Sequence, residues 1–249
     1  MNAFWIALQF LTILPTVKIN QYRDNELGKS ILFYPLIGLI IGLLLWLAQL
    51  SLFAAFNDIP YAPQLIATLI LALWTILTGG LHLDGLADSA DAWMGGIGDK
   101  EKTLQIFKDP SSGPIAVITL MLTLLLKWSS LLILLTQENK LWLIIIPAVS
   151  RASLLAFFLY LPYVRKQGIA SIMIQTFPRT KALQIMLVLS FIITIINAKF
   201  FVFLITLPLL FYAFRHALLS RLNGFTGDTL GAWLELAELT MLLSLIFTL

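Results

Sequence analysis

The sequence predicts an all-α, polytopic membrane protein: an integral helical bundle of about seven transmembrane helices plus a short N-terminal interfacial or re-entrant helix. Two observations support this prediction. Of the 249 residues, 59% are hydrophobic and only 12% are charged, about half the charge that a soluble domain carries. The apolar residues also form long continuous stretches, without the alternating ten-residue segments of a transmembrane barrel. We expect residues 1–249 to form a single transmembrane domain.

The first apolar segment, residues 3–14, is too short to cross a bilayer. Its twelve residues rise about 18 Å as a helix, against a hydrocarbon core of about 30 Å. Pro15 ends the segment, so we expect it to lie at the interface or to re-enter the membrane. It has no basic segment before it and no small-residue cleavage site after it, and we therefore do not expect a cleaved signal peptide.

Seven later stretches are predicted to cross the membrane, and the fifth and sixth of them form a tight hairpin. They comprise residues 30–56, 63–82, 114–136, 141–161, 182–197, 200–214 and 228–249. The loops that precede them contain, in chain order, three, none, three, one, four, one and two Lys or Arg residues. Because basic loops remain in the cytoplasm, we expect the C-terminus outside, and Asp84 and Asp228 at the same cytoplasmic face.

An acidic stretch, residues 79–91, follows the second predicted span. Asp84, Asp88 and Asp91 are four and seven residues apart, so on a helix they lie within an arc of about 60°. Three carboxylates this close repel one another and favour a divalent cation, which prefers oxygen ligands. The alternative is a helix end whose acids are solvated by the cytosol.

Other residues of the same stretch have different expected roles. His82 is predicted to point away from the acids, which favours a structural hydrogen bond over a role as a base. Gly79, Gly80 and Gly85 surround the acids with little side-chain volume. We expect them to let a bulky ligand approach the backbone.

A second polar stretch, residues 223–238, precedes and begins the last span. Asp228 or Thr226 can cap the helix, and a helix N-terminus beside Gly227 suits a phosphate group. Glu235 and Glu238 are expected inside the apolar layer, where acids are costly and usually functional. The alternative is ordinary capping together with a salt bridge to Arg151.

Arg151 is predicted at mid-depth of an apolar span, where it needs a partner. It could pair with Glu235 or Glu238, or it could bind a phosphate with both arms of its guanidinium. Among the loop cations, Lys108 has the best claim to phosphate contact. Lys100 and Lys102 are expected to determine topology only. We expect the remaining loop cations to be solvated or to contact lipid headgroups, namely Arg165, Lys166, Arg179 and Lys181. Arg215 and His216, at a cytoplasmic helix end, are expected to face an anionic lipid or a nucleotide.

Several segments resemble one known family. The matching segments occur in the same order in that family. They are QFLTILP near the N-terminus, residues 34–38, GGLHLDGLADSADAW, residues 108–110, residues 150–151, and GDTLGA at 227–232 with the two glutamates that follow it. In these segments the chain is similar to cobalamin synthase, the membrane enzyme adenosylcobinamide-GDP ribazoletransferase. The acidic core also resembles, more loosely, the motif of CDP-alcohol phosphotransferases, although the arginine of that motif is absent.

The resemblance implies a reaction, a cofactor and a location. α-Ribazole or its 5′-phosphate would attack the cobinamide-linked phosphate of adenosylcobinamide-GDP, GMP would leave, and adenosylcobalamin or its 5′-phosphate would form, late in cobalamin biosynthesis. The family uses Mg²⁺ and resides in the bacterial inner membrane, with the active site expected toward the cytoplasm. A homo-oligomer is left open.

The resemblance also implies roles for particular residues. Asp84, Asp88 and Asp228 would hold one or two Mg²⁺ ions, and Asp91 would complete the shell or accept the hydroxyl proton. Arg151 and Lys108 would neutralise charge. The remaining matched residues are expected in substrate binding: Gly79, Gly80, His82, Gly85, Gly227, Thr229 and Glu235.

Other classes of function are less favoured. A transporter or cation channel also uses membrane acids, a lone arginine and glycine breaks, but here the acids cluster at one face and no pair of broken-helix repeats is visible. The chain has no cysteine, which excludes thiolate metal sites and cysteine nucleophiles. No run of Lys and Arg resembles a nucleic-acid surface.

Overall fold

A computed structural model describes residues 2–17, 22–56, 59–109, 111–137, 140–165 and 168–249. Within these ranges the regular structure is helical, apart from one isolated bridge between Tyr163 and Phe225. The all-α prediction is therefore confirmed. Lys166, one of the predicted loop cations, lies outside the described residues, as do parts of five of the loops that precede predicted spans.

The described chain contains twelve α-helices and two short 3-10 turns. The α-helices are α1 (Asn2–Leu11), α2 (Asp24–Ser30), α3 (Tyr34–Phe56), α4 (Ala62–Leu77), α5 (Leu81–Gly95), α6 (Lys100–Ile106), α7 (Pro114–Leu135), α8 (Trp142–Tyr160), α9 (Ile169–Gln175), α10 (Arg179–Ile196), α11 (Phe203–Leu222) and α12 (Gly227–Ile246). The 3-10 turns, Ile31–Phe33 and Ala198–Val202, lead into α3 and α11.

Six of these segments are long and apolar enough to cross a membrane, and a bent helix pair raises the number to seven. The six are Asp24–Phe56, Pro114–Leu135, Trp142–Tyr160, Arg179–Ile196, Ala198–Leu222 and Gly227–Ile246. The prediction of a polytopic helical bundle with about seven spans is confirmed. The N-terminal helix α1 is shorter, with ten residues, as its length in the sequence indicated.

The predicted span 63–82 is wrong in one respect, because the chain turns within it. Helix α4 ends at Leu77, and α5 leaves at an angle of 85°. Gly79 and Gly80 make the turn with φ values of 64° and 70°, a left-handed conformation that glycine adopts without steric cost. The acidic stretch therefore lies on a separate helix that runs almost perpendicular to α4.

The core of the bundle lies around α8, which is the most buried of the spanning helices. Helix α3 packs closely along α8 because Gly42 has no side chain: a Cβ atom there would lie 2.6 Å from Ile144 Cα. Helices α10 and α11 lie at the periphery, where most of their apolar side chains remain exposed.

Helix α5 is held against α12 by two glycines that face each other. A Cβ on Gly85 would lie 2.6 Å from the backbone oxygen of Asp228, and a Cβ on Gly231 would lie 3.2 Å from His82 Cα. The helix backbones can approach this closely because neither position has a side chain. This packing brings the acidic face of α5 beside the first turn of α12.

Candidate active site

The acids predicted from the sequence meet around Asp88. Asp84 and Asp91 lie on the same face of α5, and Asp228 comes from the first turn of α12. All three carboxylates lie near enough for their charges to act on the Asp88 carboxyl group. Asp84 is exposed, and the other three acids are partly buried. The structure thus places four acids from two helices at one surface.

Asp91 has a structural partner at this surface. Its two carboxylate oxygens accept hydrogen bonds from the backbone N–H groups of Gly113, over 2.5 Å, and Ala116, over 2.9 Å. These groups belong to the N-terminal turn of α7, where backbone N–H groups lack partners within the helix. Asp91 therefore caps α7, which leaves it less free to bind a metal ion or to accept a proton.

Asp228 has a basic neighbour that the sequence interpretation assigned to solvent or lipid. Nη2 of Arg165 donates a hydrogen bond to Oδ2 of Asp228 over 3.1 Å, and the two side chains are 43% and 26% exposed. The loop that carries Arg165 is fixed by backbone hydrogen bonds between residues 162–164 and Phe225. This pairing between distant parts of the chain brings Arg165 to Asp228. The sequence around Arg165 gives no sign of the pairing.

Two of the four acids remain available to a cation. Across the described ranges, no group of three or more His, Cys, Asp and Glu residues is arranged to hold a metal ion. The carboxylates of Asp84 and Asp88, however, have no hydrogen bond or ion pair with any residue that the structure describes. Mg²⁺ usually takes one or two carboxylates and completes its shell with substrate phosphates and water. This pair of carboxylates fits that requirement.

A buried ion cluster lies behind the acidic surface and comprises Lys127, Arg151, Glu235 and Glu238. Nζ of Lys127 lies 2.6 Å from Glu235 Oε2 and 2.7 Å from Glu238 Oε2. Arg151 pairs with Glu238 and bonds to the hydroxyl of Ser150. Two cations balance two anions in a setting where an unpaired charge would be costly.

The buried ion cluster contains one of the two pairings expected for Arg151, the salt bridge to Glu238. The Arg151 side chain is fully buried and ion-paired, so we do not include it among the groups that contact a phosphate. Glu235 is likewise occupied by a lysine. Sequence interpretation overlooked Lys127, although a single lysine within the apolar helix α7 is a signal that could have found it.

His82 points into this cluster and away from the acids, as its position on the helix predicted. Its Nδ1 atom lies 3.4 Å from Nη2 of Arg151, and the residue is buried. A guanidinium can only donate, so Nδ1 is the acceptor. The contact connects α5 to α8 and favours the structural role for His82.

The remaining predicted residues lie in varied settings. The hydroxyl of Thr229 forms a capping box with Thr226 at the start of α12, so it is already occupied. The turn glycines Gly79 and Gly80 produce the bend, whereas Gly85 faces α12 instead of open space. A Cβ on Gly227 would meet nothing within 4 Å, and Lys108 is exposed. Substrate contact by any of these residues stays a prediction.

Comparisons with known proteins extend over almost the whole chain. The family model described as cobalamin-5-phosphate synthase, CobS, matches residues 3–246. The chain is 48% identical over 247 residues to the adenosylcobinamide-GDP ribazoletransferase of Pseudomonas entomophila (strain L48), with 98% of each chain covered. It is 47% identical over 240 residues to the enzyme of that name from Stutzerimonas stutzeri (strain A1501), with 96% of each chain covered.

No solved structure matches the chain. The family model spans all the helices that form the acidic surface and the buried ion cluster. Since this match covers far more than half of the sequence, the chain belongs to the cobalamin-5-phosphate synthase family.

Proposed function

We propose that this protein is an adenosylcobinamide-GDP ribazoletransferase of a bacterial plasma membrane, with its active site at the cytoplasmic face. It would join α-ribazole, or α-ribazole 5′-phosphate, to adenosylcobinamide-GDP and release GMP. The observation that carries the proposal is the pair of unpartnered carboxylates, Asp84 and Asp88, beside the Arg165–Asp228 ion pair. The names of the relatives specify the substrates.

The bond changes define what the site must do. A hydroxyl oxygen of ribazole forms a bond to the cobinamide-linked phosphorus, and the bond from that phosphorus to the oxygen of GMP breaks. The hydroxyl proton passes to solvent water, and GMP departs as an anion with the electron pair of the broken bond. Transfers of this kind depend mainly on positioning and on neutralisation of the phosphate charge.

Asp84 and Asp88 would hold Mg²⁺ at the surface of α5. When bound, the ion would supply positive charge to the diphosphate oxygens. Asp228 would be the third carboxylate of the site. Whether it stays paired with Arg165 would depend on whether the metal ion and the substrate phosphates are bound. Asp91 contributes by fixing the start of α7 next to α5, so its role in our proposal is to position the acidic face.

Positive charge for the phosphates would come from Arg165 and Lys108. Arg165 lies at the acids and is 43% exposed, so a phosphate can reach its guanidinium. A guanidinium binds phosphate with two parallel hydrogen bonds, which also fixes the orientation of the substrate. Arg165 thereby takes the role that the sequence interpretation expected of Arg151.

The test is a transferase assay in membranes with Asp84→Asn and Asp88→Asn, measured as release of GMP. Glu101→Gln is the matched control, because Glu101 is an exposed acid on the neighbouring helix α6. We expect both asparagine variants to lose most activity and to need more Mg²⁺ for what remains, with the control unchanged. Near-normal rates of the asparagine variants at saturating Mg²⁺ would rule out the proposed metal site. A wild-type protein that never releases GMP would rule out the proposed reaction.

A further inference from the structure

A membrane-level groove separates three helices on the side of the protein that carries no acid. It has a volume of about 270 Å³ and lies between α8, α10 and α11, with Trp233 of α12 at its base. Its lining is apolar except for a few hydroxyl groups, among them those of Ser153 and Ser190. Both serines are already bonded within their own helices. Apart from the hydroxyl of Tyr160 at one end, the groove therefore offers little to a hydrophilic ligand.

Two arginines, Arg179 and Arg215, lie at the end of the groove that is marked by Tyr160. On α10, Met186, Leu189, Ser190 and Ile193 line the groove, and Arg179 lies seven residues before Met186, on the same face of the helix. Nη2 of Arg179 donates to the backbone oxygen of Leu159, next to Tyr160. The first arginine is thus fixed at this end of the groove.

The second arginine reaches the same end from α11. Leu204, Pro208 and Phe211 line the groove, and Arg215 is eleven residues beyond Leu204, three helical turns along the same face. The Phe157 ring of α8 contacts Phe211 and Phe214, with centroids 5.2 Å and 6.1 Å away. These contacts place the Arg215 turn beside the last turn of α8. In the described part of the chain neither arginine forms an ion pair with an acid.

We propose that this groove binds one anionic phospholipid, with an acyl chain between α8, α10 and α11 and the headgroup phosphate at Arg179 and Arg215. The occupant follows from the combination of features. An apolar groove open at membrane depth accepts a lipid tail, and two unpaired guanidinium groups at one end require a negative charge. This site is separate from the acidic surface and does not depend on the proposed reaction.

The chemistry of the groove also determines where its selectivity lies. Lipid tails are as apolar as the groove wall, so the tail gains little by moving from the bilayer into the protein. Discrimination between lipids must therefore come from the two arginines. An anionic headgroup such as phosphatidylglycerol should be retained in preference to a zwitterionic one with the same chains.

Native mass spectrometry of the detergent-solubilised full chain tests the site with defined lipids. Phosphatidylglycerol and phosphatidylethanolamine with identical chains are added at equal concentrations. We expect the wild type to retain phosphatidylglycerol at least several-fold more than phosphatidylethanolamine. Arg179→Gln combined with Arg215→Gln should remove this preference, whereas Lys181→Gln, at an exposed cation of the same helix, should preserve it.

A pair of tryptophan variants tests the groove itself. Ser190→Trp places a large side chain in the groove, while Leu187→Trp places the same side chain at a 70% exposed position of α10 that does not line the groove. We expect only the first to lower lipid retention, with both variants keeping the melting temperature of the wild type within a few degrees. Arg179→Lys, which keeps the charge, should retain the anionic preference.

Three outcomes would overturn the proposal. They are equal retention of the two lipids by the wild type, unchanged phosphatidylglycerol retention in the double glutamine variant, and equal effects of the two tryptophan variants. A lipid-free dimer that Ser190→Trp dissociates would assign the groove to a second copy of the chain instead.

Discussion

Arg165 and Asp228 form a half-exposed ion pair at the edge of the acidic surface, with 3.1 Å between Nη2 and Oδ2. One residue comes from the loop after α8 and the other from the first turn of α12, and the backbone bonds between residues 162–164 and Phe225 hold the two segments together. The pair brings a positive charge to an otherwise acidic surface. A phosphate that approaches Asp84 and Asp88 therefore meets a guanidinium on the side of Asp228.

Removal of this charge should impair transfer without unfolding the protein. We expect Arg165→Gln to lower kcat/KM by about tenfold or more, equivalent to ~1.4 kcal/mol of transition-state stabilisation. Arg165→Lys should recover only part of the loss because an ammonium cannot make the bidentate contact. GMP release and thermal melting would be measured together, with Lys181→Gln as the control. A full rate for Arg165→Gln would remove the residue from the site.

Asp91 and Asp88 should respond differently to substitution, although both lie on the acidic face. Asp91→Ala removes the cap of α7, and loss of a cap costs about 0.5–2 kcal/mol of stability. Asp91→Asn keeps one acceptor oxygen and should lose less stability. Asp88→Asn should keep the melting temperature and lose activity. The two melting curves and the two rates separate the roles; a stable but inactive Asp91→Ala protein would make Asp91 a catalytic residue after all.

Lys127 should be one of the most sensitive positions for stability. Lys127→Met leaves Glu235 without its cation and Glu238 with Arg151 alone, and breaking a buried pair typically costs about 3–5 kcal/mol. The double variant Lys127→Met with Glu235→Gln removes one charge of each sign and should recover part of the loss. Melting temperatures in detergent, arranged as a double-mutant cycle, measure the coupling. Strictly additive effects would contradict the pairing.

Gly85 should be intolerant of even one extra methyl group. A Cβ at this position would lie 2.6 Å from the backbone oxygen of Asp228, so Gly85→Ala must push α5 away from α12. We expect a large loss of activity, because the two acidic segments separate, with a smaller loss of melting temperature. Ser89→Ala, on the same helix, is the control. Normal activity of Gly85→Ala would show that the spacing of the two helices is not important for transfer.

Much of this architecture follows from local patterns. Apolar run lengths predicted the spanning helices, the spacing of Asp84, Asp88 and Asp91 predicted a shared helix face, and a position two residues before Asp84 predicted that His82 points the other way. These features depend on helical periodicity, which acts over a few residues. The distribution of loop charge predicted that Asp84 and Asp228 lie at the same face, and the structure brings the acids of the two helices together.

The features that sequence reasoning missed depend on tertiary contacts. Arg165 reaches Asp228 only through the pairing of its loop with Phe225, and the partner of Arg151 depends on which faces of α8 and α12 meet. Asp91 caps a helix that begins 23 residues later in the chain. The sequence shows the two glycines at positions 79 and 80, where α4 and α5 meet. It does not specify the angle of 85° between the two helices, which depends on how they pack against the rest of the bundle.

The bend also gives the protein an unusual relation to bilayer thickness. Helix α4 has 16 residues and rises about 24 Å, several ångströms less than a typical hydrocarbon core of about 30 Å. A short helix that ends in a perpendicular one thins the adjacent leaflet or draws headgroups and water inward. We therefore expect the bilayer beside α4 to be thinner than its surroundings, which would let a charged diphosphate reach Asp84 and Asp88 without crossing a full layer of lipid tails.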